Sequence, residues 1–207
     1  MTDQRTRLED NLDNYPLFPL GTVLVPGGRM ALRIFERRYL DLVRDCMREG
    51  SSFGVVWLED GGSEVAKPGD APSLAAIGTE AMIVDWDQTD DGLLSIVIEG
   101  QRRFSLLASR QLDNGLNVGD IQWRPYAGDL PLTDASESLL ALLEQLGEHP
   151  HVKRLGMSMS ASGIGDLVFR LAQLLPLPQK EVYGMLQTED PRHRLDMLND
   201  LVEILAS

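Results

Sequence analysis

The stretch "NYPLFPLGTVLVPGGRMALRIFERRY", residues 14–39, places three prolines (Pro16, Pro19, Pro26) and three glycines (Gly21, Gly27, Gly28) inside an apolar, strand-like run. Proline brings no N–H to a ladder, so a regular central strand excludes most of them. A fold that keeps such a run must use it at an edge or re-aim it. The prolines are therefore expected to end pairing at a sheet edge and to leave that edge of the first strand open.

Further strands follow. Met30, Leu32 and Ile34 alternate with Arg29, Ala31 and Arg33, the period of a half-buried strand. "FGVVW" (53–57) has strand composition. "IGTEAMIVDWD" alternates Ile77, Thr79, Ala81 and Ile83 against Met82, Val84 and Trp86. Asp91-Gly92 separates it from "LLSIVIEG" (93–100), a hairpin signal. "RRFSLLAS" and "GDIQWRP" read as two more strands, joined near "DNG" (113–115). Tyr39, Leu42, Val43, Cys46 and Met47 recur at helical spacing, with Gly50 as the stop. Residues 58–76, rich in Gly, Pro, Asp and Ala, read as a mobile surface loop. Five or six short, broken strands predict a small, irregular barrel with one inserted helix.

The last third reads as helices. Asp134 with Glu137 gives a capping-box-like start to a helix closed by Gly147. "HPHVKRLGMSMSASG" (149–163) reads as a connection. Ile164, Leu167, Val168, Leu171, Leu174 and Leu175 form an apolar helix face that stops before Pro176. Pro178 opens a short helix, and Asp190-Pro191 a last one carrying Leu195, Leu198, Leu201, Val202 and Leu205. Strands followed by helices make an α+β chain. Its expected organisation is a disordered or frayed start over 1–13, a barrel over 14–128 and a helical bundle over 129–207.

Charge and composition narrow the function. The chain carries 19 basic and 32 acidic residues, a net −13. Free nucleic acid is repelled unless a local basic face overrides that total. The lone Cys46 excludes an internal disulfide and fits a reducing compartment. The start "MTDQRTRLEDN" has no signal-peptide character, and no apolar stretch approaches the ~18 residues of a membrane span. The expectation is a soluble, cytoplasmic protein.

Motifs for chemistry are missing. None of Lys67, Lys153 and Lys180 follows a glycine or precedes Ser or Thr, so no phosphate loop exists. "GIGDLV" (163–168) has Val168 at the third glycine position of a dinucleotide loop. His149, His151, His193 and Cys46 make a poor zinc set. "DQTDDG" imitates a calcium loop but reaches Ile98 where a bidentate Glu is required. Cys46 lies on an apolar helix face, and no "GxSxG" elbow occurs. No catalytic residue, cofactor or metal is expected. A hydrolase or small-ligand site between barrel and helices stays open, because folding can still bring a base to the serines of "MSMSASG".

One basic stretch stands out: Arg29, Arg33, Arg37, Arg38, Arg44 and Arg48, against Glu36, Asp41 and Asp45. It fits a solvated face with pairs such as Asp41–Arg44, Asp41–Arg37 and Asp45–Arg48. It also fits a contact site for a partner.

"PLFPLGTVLVPGG", "LRIFERRY" and "IGTEAMIV…DDGLLSIVIEGQRRF", in that order, resemble the amino-terminal domain of Lon proteases. The helical segment "LPLPQKEVYGMLQTEDPRHRLDML" is similar to that domain's helical part, so the resemblance runs from about Tyr15 onward. Arg37 stands where the family pattern has proline. The resemblance implies a PUA-like barrel followed by a helical subdomain. It also implies recognition of unfolded or tagged polypeptides, with a protease as a further partner. With no Walker A motif and no room for a protease domain, a stand-alone, ATP-independent member is expected, an adaptor in protein quality control. Arg33, Glu36, Arg37 and Arg38 at the helix start, with the adaptable thioethers of Met157 and Met159, are the expected peptide-binding residues. The second reading is RNA binding, common among PUA-like barrels. The net charge and the missing aromatic–basic interleaving argue against it.

Overall fold

A computed structural model describes residues 11–59, 73–125 and 128–205. Its strands are β1 (Asn11–Leu20), β2 (Arg29–Ile34), β3 (Phe53–Leu58), β4 (Leu74–Gln88), β5 (Leu94–Gln111) and β6 (Asn117–Trp123). Its helices are α1 (Arg37–Glu49), α2 (Glu137–Gly147), α3 (Pro150–Leu155), α4 (Ile164–Leu174), α5 (Gln179–Gln187) and α6 (Pro191–Leu205). The chain is α+β, a mixed sheet with helices packed on it.

The strand order is β2-β5-β4-β3-β1-β6, and β5 also pairs with β6. Five strands therefore close on themselves, and β2 hangs outside the ring, paired among the described residues with β5 alone. This reverses the expectation for the first strand. β1 pairs antiparallel with β6 over residues 11–17 and parallel with β3 over 17–20. The two pairings overlap only at Leu17. Pro16, opposite Val118, lies in the half with β6 alone; Pro19, opposite Val56, lies in the half with β3 alone. Each proline has a neighbour on one side only, where a missing N–H is tolerated. The prolines mark a change of partner, and the open edge belongs to β2.

Other expectations shift in detail. Asn11 and Leu12, assigned to a frayed start, pair with Gln122 and Ile121. The two strands expected over 93–109 are one 18-residue strand. Gly100 sits inside it because another backbone comes close: a Cβ there would stand 2.2 Å from the Val25 carbonyl oxygen. Gly27 N donates to Gly100 O (2.8 Å), and Gly100 N donates to Gly28 O (2.9 Å). In the loop expected over 58–76, Leu58 ends β3 and Leu74 begins β4; residues 60–72 lie outside the described ones. The capping box forms one residue early, between Thr133 and Ser136, and opens a 3-10 turn ahead of α2. The connection expected over 149–163 contains α3, started by Pro150 behind a His149 cap and stopped by left-handed Gly156.

The largest apolar core lies between the helices and the strands. Leu167, Val168, Leu171, Met185 and Leu198 share it with Val23, Val25, Trp57 and Ile77. Packing is thus continuous across residues 128 and 129. Helix side chains also satisfy the irregular segment before β2. Gln179 Oε1 accepts from Val23 N (2.7 Å), and Gln173 Oε1 accepts from Val25 N (3.2 Å). A second core lies under α1, around Phe18, Tyr39, Phe53, Ile96 and Ile98. A third contains Tyr15, Leu17, Val56, Phe104 and Ile121.

Candidate functional site

The open edge of β2 is the candidate site. In β2, Met30, Leu32 and Ile34 turn toward the core under α1, while Ala31 and Arg33 are exposed. β2 pairs with β5 in antiparallel register, Arg29 opposite Glu99 through Ile34 opposite Leu94. Gly100 N bonds to Gly28 O, which fixes the alternation. Met30, Leu32 and Ile34 then share their main-chain bonds with β5, and Arg29, Ala31 and Arg33 turn theirs outward.

A cavity of about 670 Å³ lies beside this edge, between β2 and the helices. Leu142 and Leu146 of α2, Val152 and Leu155 of α3, and Leu174 of α4 give it an apolar wall; Gln145 and Gln173 add polar groups. The spacing of Leu142 and Leu146 puts both on one face of α2. Arg29 holds one end together. Its Nη1 donates to Leu155 O (3.2 Å) and Gly156 O (2.7 Å), and its Nε meets Glu99 at 2.6 Å. An unpaired edge with an adjoining apolar wall is what strand addition by a peptide requires.

The expected site residues divide. Arg33 is exposed and pairs with Asp91 at the β4–β5 hairpin. Arg37 is exposed at the first turn of α1. Glu36 precedes that helix without a side-chain cap, and Arg38 Nη2 lies 2.8 Å from its carboxylate. Arg38 itself is only 9% exposed; its Nη1 donates to Gly115 O (2.8 Å), and its guanidinium lies 4.6 Å from the Tyr39 ring centre. Met157 is 6% exposed, and Met159 packs on the main core against Gly147. The structure joins Glu36 to Arg38 but does not bring that group to the methionines. Met157 follows Gly156 at the Arg29 end of β2, and Arg33 is four residues, ~13 Å, farther along an extended strand. The five leucines and valines of the wall were missed as site residues. In the sequence Leu142, Leu146 and Leu174 read as helix-face positions and Val152 and Leu155 lie in the expected connection; the gap beside β2 leaves the three leucines half-buried, while Val152 and Leu155 are buried.

Other singled-out motifs have structural explanations. In "GIGDLV", the Asp129 carboxylate accepts from Gly165 N (2.6 Å) and Asp166 N (3.0 Å), so the start of α4 is already occupied by an anion. "DQTDDG" is the β4–β5 turn, with Thr89 N donating to Leu93 O (2.9 Å). Burial pushes the Cys46 thiol above its usual range. Among the described residues, no three His, Cys, Asp or Glu side chains are grouped to hold a metal, and no helix is long and apolar enough to cross a membrane.

The sequence pattern of the ATP-dependent protease La (LON) substrate-binding domain matches residues 14–203. The chain belongs to this family. Among solved structures, the Lon N-terminal domain protein from Xanthomonas campestris is 40% identical, with a TM-score of 0.70 over 91% of this chain and 98% of that one. The N-terminal domain of the Mycobacterium avium complex Lon protease shares the fold, with a TM-score of 0.57 at 18% identity over 90% of this chain and 96% of that one. The Lon protease of Anaeromyxobacter dehalogenans (strain 2CP-C) is 26% identical over 200 residues, and Lon protease 2 of Myxococcus xanthus is 26% identical over 207. These alignments cover 92% and 95% of this chain but only 23% and 25% of those proteases. This Lon substrate-binding domain therefore spans about a quarter of the length of the proteases it matches.

Proposed function

We propose that this domain is a non-enzymatic recognition module for extended segments of unfolded polypeptide, taken up as an added strand on the outer edge of β2. The open edge beside the leucine-lined cavity carries the reading. Main-chain groups of Ala31 and Arg33 supply sequence-independent bonds, and the apolar wall takes alternate side chains of the guest. Arg33 and Arg37 lie at the far rim, where long cationic side chains suit acidic residues of a guest strand. Arg38, Met157 and Met159 are committed to internal packing and take no part. The five-strand ring is read as a PUA-like barrel that holds β2 rigid. A reducing cytoplasm, and service as an adaptor beside a protease in quality control, fit the lone buried Cys46 and the family.

The test is a titration of the full chain with ribonuclease A, native and reduced-alkylated. Tight binding of the unfolded form alone is expected. Ala31→Pro removes an outward N–H while leaving the β5 ladder intact, and should weaken binding about tenfold, as loss of one or two strand bonds would. Equal affinity for both forms of the ligand would sink the polypeptide reading. Undiminished binding by a cooperatively folding Ala31→Pro variant would refute the placement on β2.

A further inference from the structure

A second cavity, of about 390 Å³, lies where β5, the end of β6 and the starts of α4 and α6 converge. Its walls include four arginines, Arg102, Arg103, Arg124 and Arg194, with Phe169, Pro26 and Pro125 as apolar surface. The volume falls in the range of small-molecule sites, roughly 300–1,000 Å³. No sequence motif announces it, because its cations come from three separate places in the chain: the Arg102-Arg103 pair, Arg124 and Arg194.

The charges there do not cancel. Three carboxylates, Asp129, Asp166 and Glu189, line the same cavity against four guanidinium groups. Asp129 is engaged by the amides at the start of α4, and Asp166 by Arg170 Nε at 2.8 Å. Glu189 alone serves two arginines: Arg103 Nη2 at 2.6 Å, and Arg124. Burial by itself would raise the Glu189 carboxyl, but the bonds from Arg124 and Arg103 outweigh it and hold the group below its ordinary range. Arg124 keeps a buried Nε with no hydrogen-bond partner among the described residues. Arg102 uses its Nε on Glu80 (2.9 Å) and lies with its guanidinium 3.9 Å from the Trp123 ring centre. Among the described residues the lining thus sets four guanidinium groups against three carboxylates, inside a chain of net −13. Guanidinium cannot shed its proton at any working pH, so a half-buried excess of it calls for an anion. The apolar wall of Pro26 and Pro125, with the small part of Phe169 left open beside Arg194 (4.3 Å from its ring centre), calls for more than a bare ion.

We propose that this cavity binds a carboxylic acid carried on a compact apolar group, its carboxylate against Arg102 and Arg124 and its apolar part against Phe169. Such a group occurs as a free small acid and as the last residue of a polypeptide ending in an apolar side chain. The site is separate from the β2 edge and stands or falls independently of it.

Three probes test this on the full chain: phenylpropionate, N-acetyl-phenylalanine and N-acetyl-phenylalaninamide. Binding is read by calorimetry and by tryptophan fluorescence, since Arg102 covers Trp123. Both acids should saturate one site, and the amide, lacking the charge, should bind at least about tenfold more weakly. Tighter binding of N-acetyl-phenylalanine assigns the site to chain ends, and tighter binding of phenylpropionate assigns it to free acids. Arg124→Gln should weaken both acids by about tenfold or more. Arg102→Gln, at a more exposed position that leaves the fold intact, should do the same and alter the fluorescence response. Equal binding of acid and amide, inorganic phosphate competing as well as either acid, or no saturable binding of the acids would each overturn the proposal.

Discussion

Two groups of arginines are built in opposite ways. Arg29, Arg33, Arg37, Arg38, Arg44 and Arg48 are close in sequence and stand on one strand and one helix. The adjacent Arg102 and Arg103, with Arg124 and Arg194 from distant parts of the sequence, meet around one cavity. The first group looks like a site in the sequence, yet Arg38, Arg44 and Arg48 pair with carboxylates two or three residues away, and Arg29 and Arg33 pair with side chains of the neighbouring strand and hairpin. Arg44 meets Asp41 at 2.8 Å, Arg48 meets Asp45 at 3.4 Å, and Arg29 meets Glu99 at 2.6 Å. The Arg44 and Arg48 pairs, which stand in water, contribute little, whereas Arg29 is mostly buried. In the second group Arg103 and Arg194 are buried and bound to main-chain carbonyls of the helical part, and Arg103 shares the Glu189 carboxylate with Arg124. Proximity along a chain measures local charge density; a binding site needs cations that converge while losing water.

The sharpest break in this contrast would come from Arg103. It is 8% exposed, and its Nη1 donates to Leu186 O (2.7 Å) and Thr188 O (3.3 Å), tying β5 to the end of α5. Arg103→Met should lower the unfolding free energy by about 2–4 kcal/mol, because carbonyls and a carboxylate lose their donor together. Urea denaturation measures this, and a midpoint unchanged from the parent would show that the tertiary cluster is no more structural than the local one. Arg38 is the exception within the first group, being buried against Tyr39 and bonded to Gly115 O. Arg38→Ala should cost about 1–2 kcal/mol in the same measurement.

Glu189 gives the contrast a pH dependence. Its folded-state carboxyl titrates below the ordinary value of 4.5, so the unfolded chain binds its proton first as pH falls. Its contribution is fully present above that ordinary value and is lost as pH drops through the folded-state value. The stability gap between the parent and Glu189→Gln should therefore narrow between about pH 5 and about pH 3. A gap constant over that range would show that the two arginines do not hold the carboxylate. The smallest effect is expected at Arg37, which is exposed. Arg37→Ala should leave the urea midpoint where it is, and a clear loss would mean that the sequence-local group is structural after all.

Local rules settled a good part of the molecule. Gly50 ends α1 in the left-handed conformation, Asp91-Gly92 turns the β4–β5 hairpin, and the apolar faces of α4 and α6 lie in the main core. Each depends on a residue's own backbone freedom or on a 3.6- or 2-residue period, both of which are printed in the chain. The order of Pro-Gly turn, Ile-Phe-Glu helix start and Gly-Thr strand was also specific enough to point to the family that residues 14–203 match.

Strand neighbours were not legible in the same way. Pro16 and Pro19 state that an N–H is missing; they do not state on which side of β1 a partner stands. That choice follows from closure of the ring by β5 with β6, a contact between strands joined through a turn but completed only when β1 pairs with β6 as well. Closure excludes β2, and exclusion gives β2 its free edge. The leucines of α2 become a site wall because β2 stops short of them, and the four junction arginines gather because the starts of α4 and α6 face β5 and the end of β6 across one cavity. The sequence determined the elements, their order and the family. Tertiary structure alone decided which edge stays open and which charges are left in excess, because both depend on what the neighbouring element already satisfies.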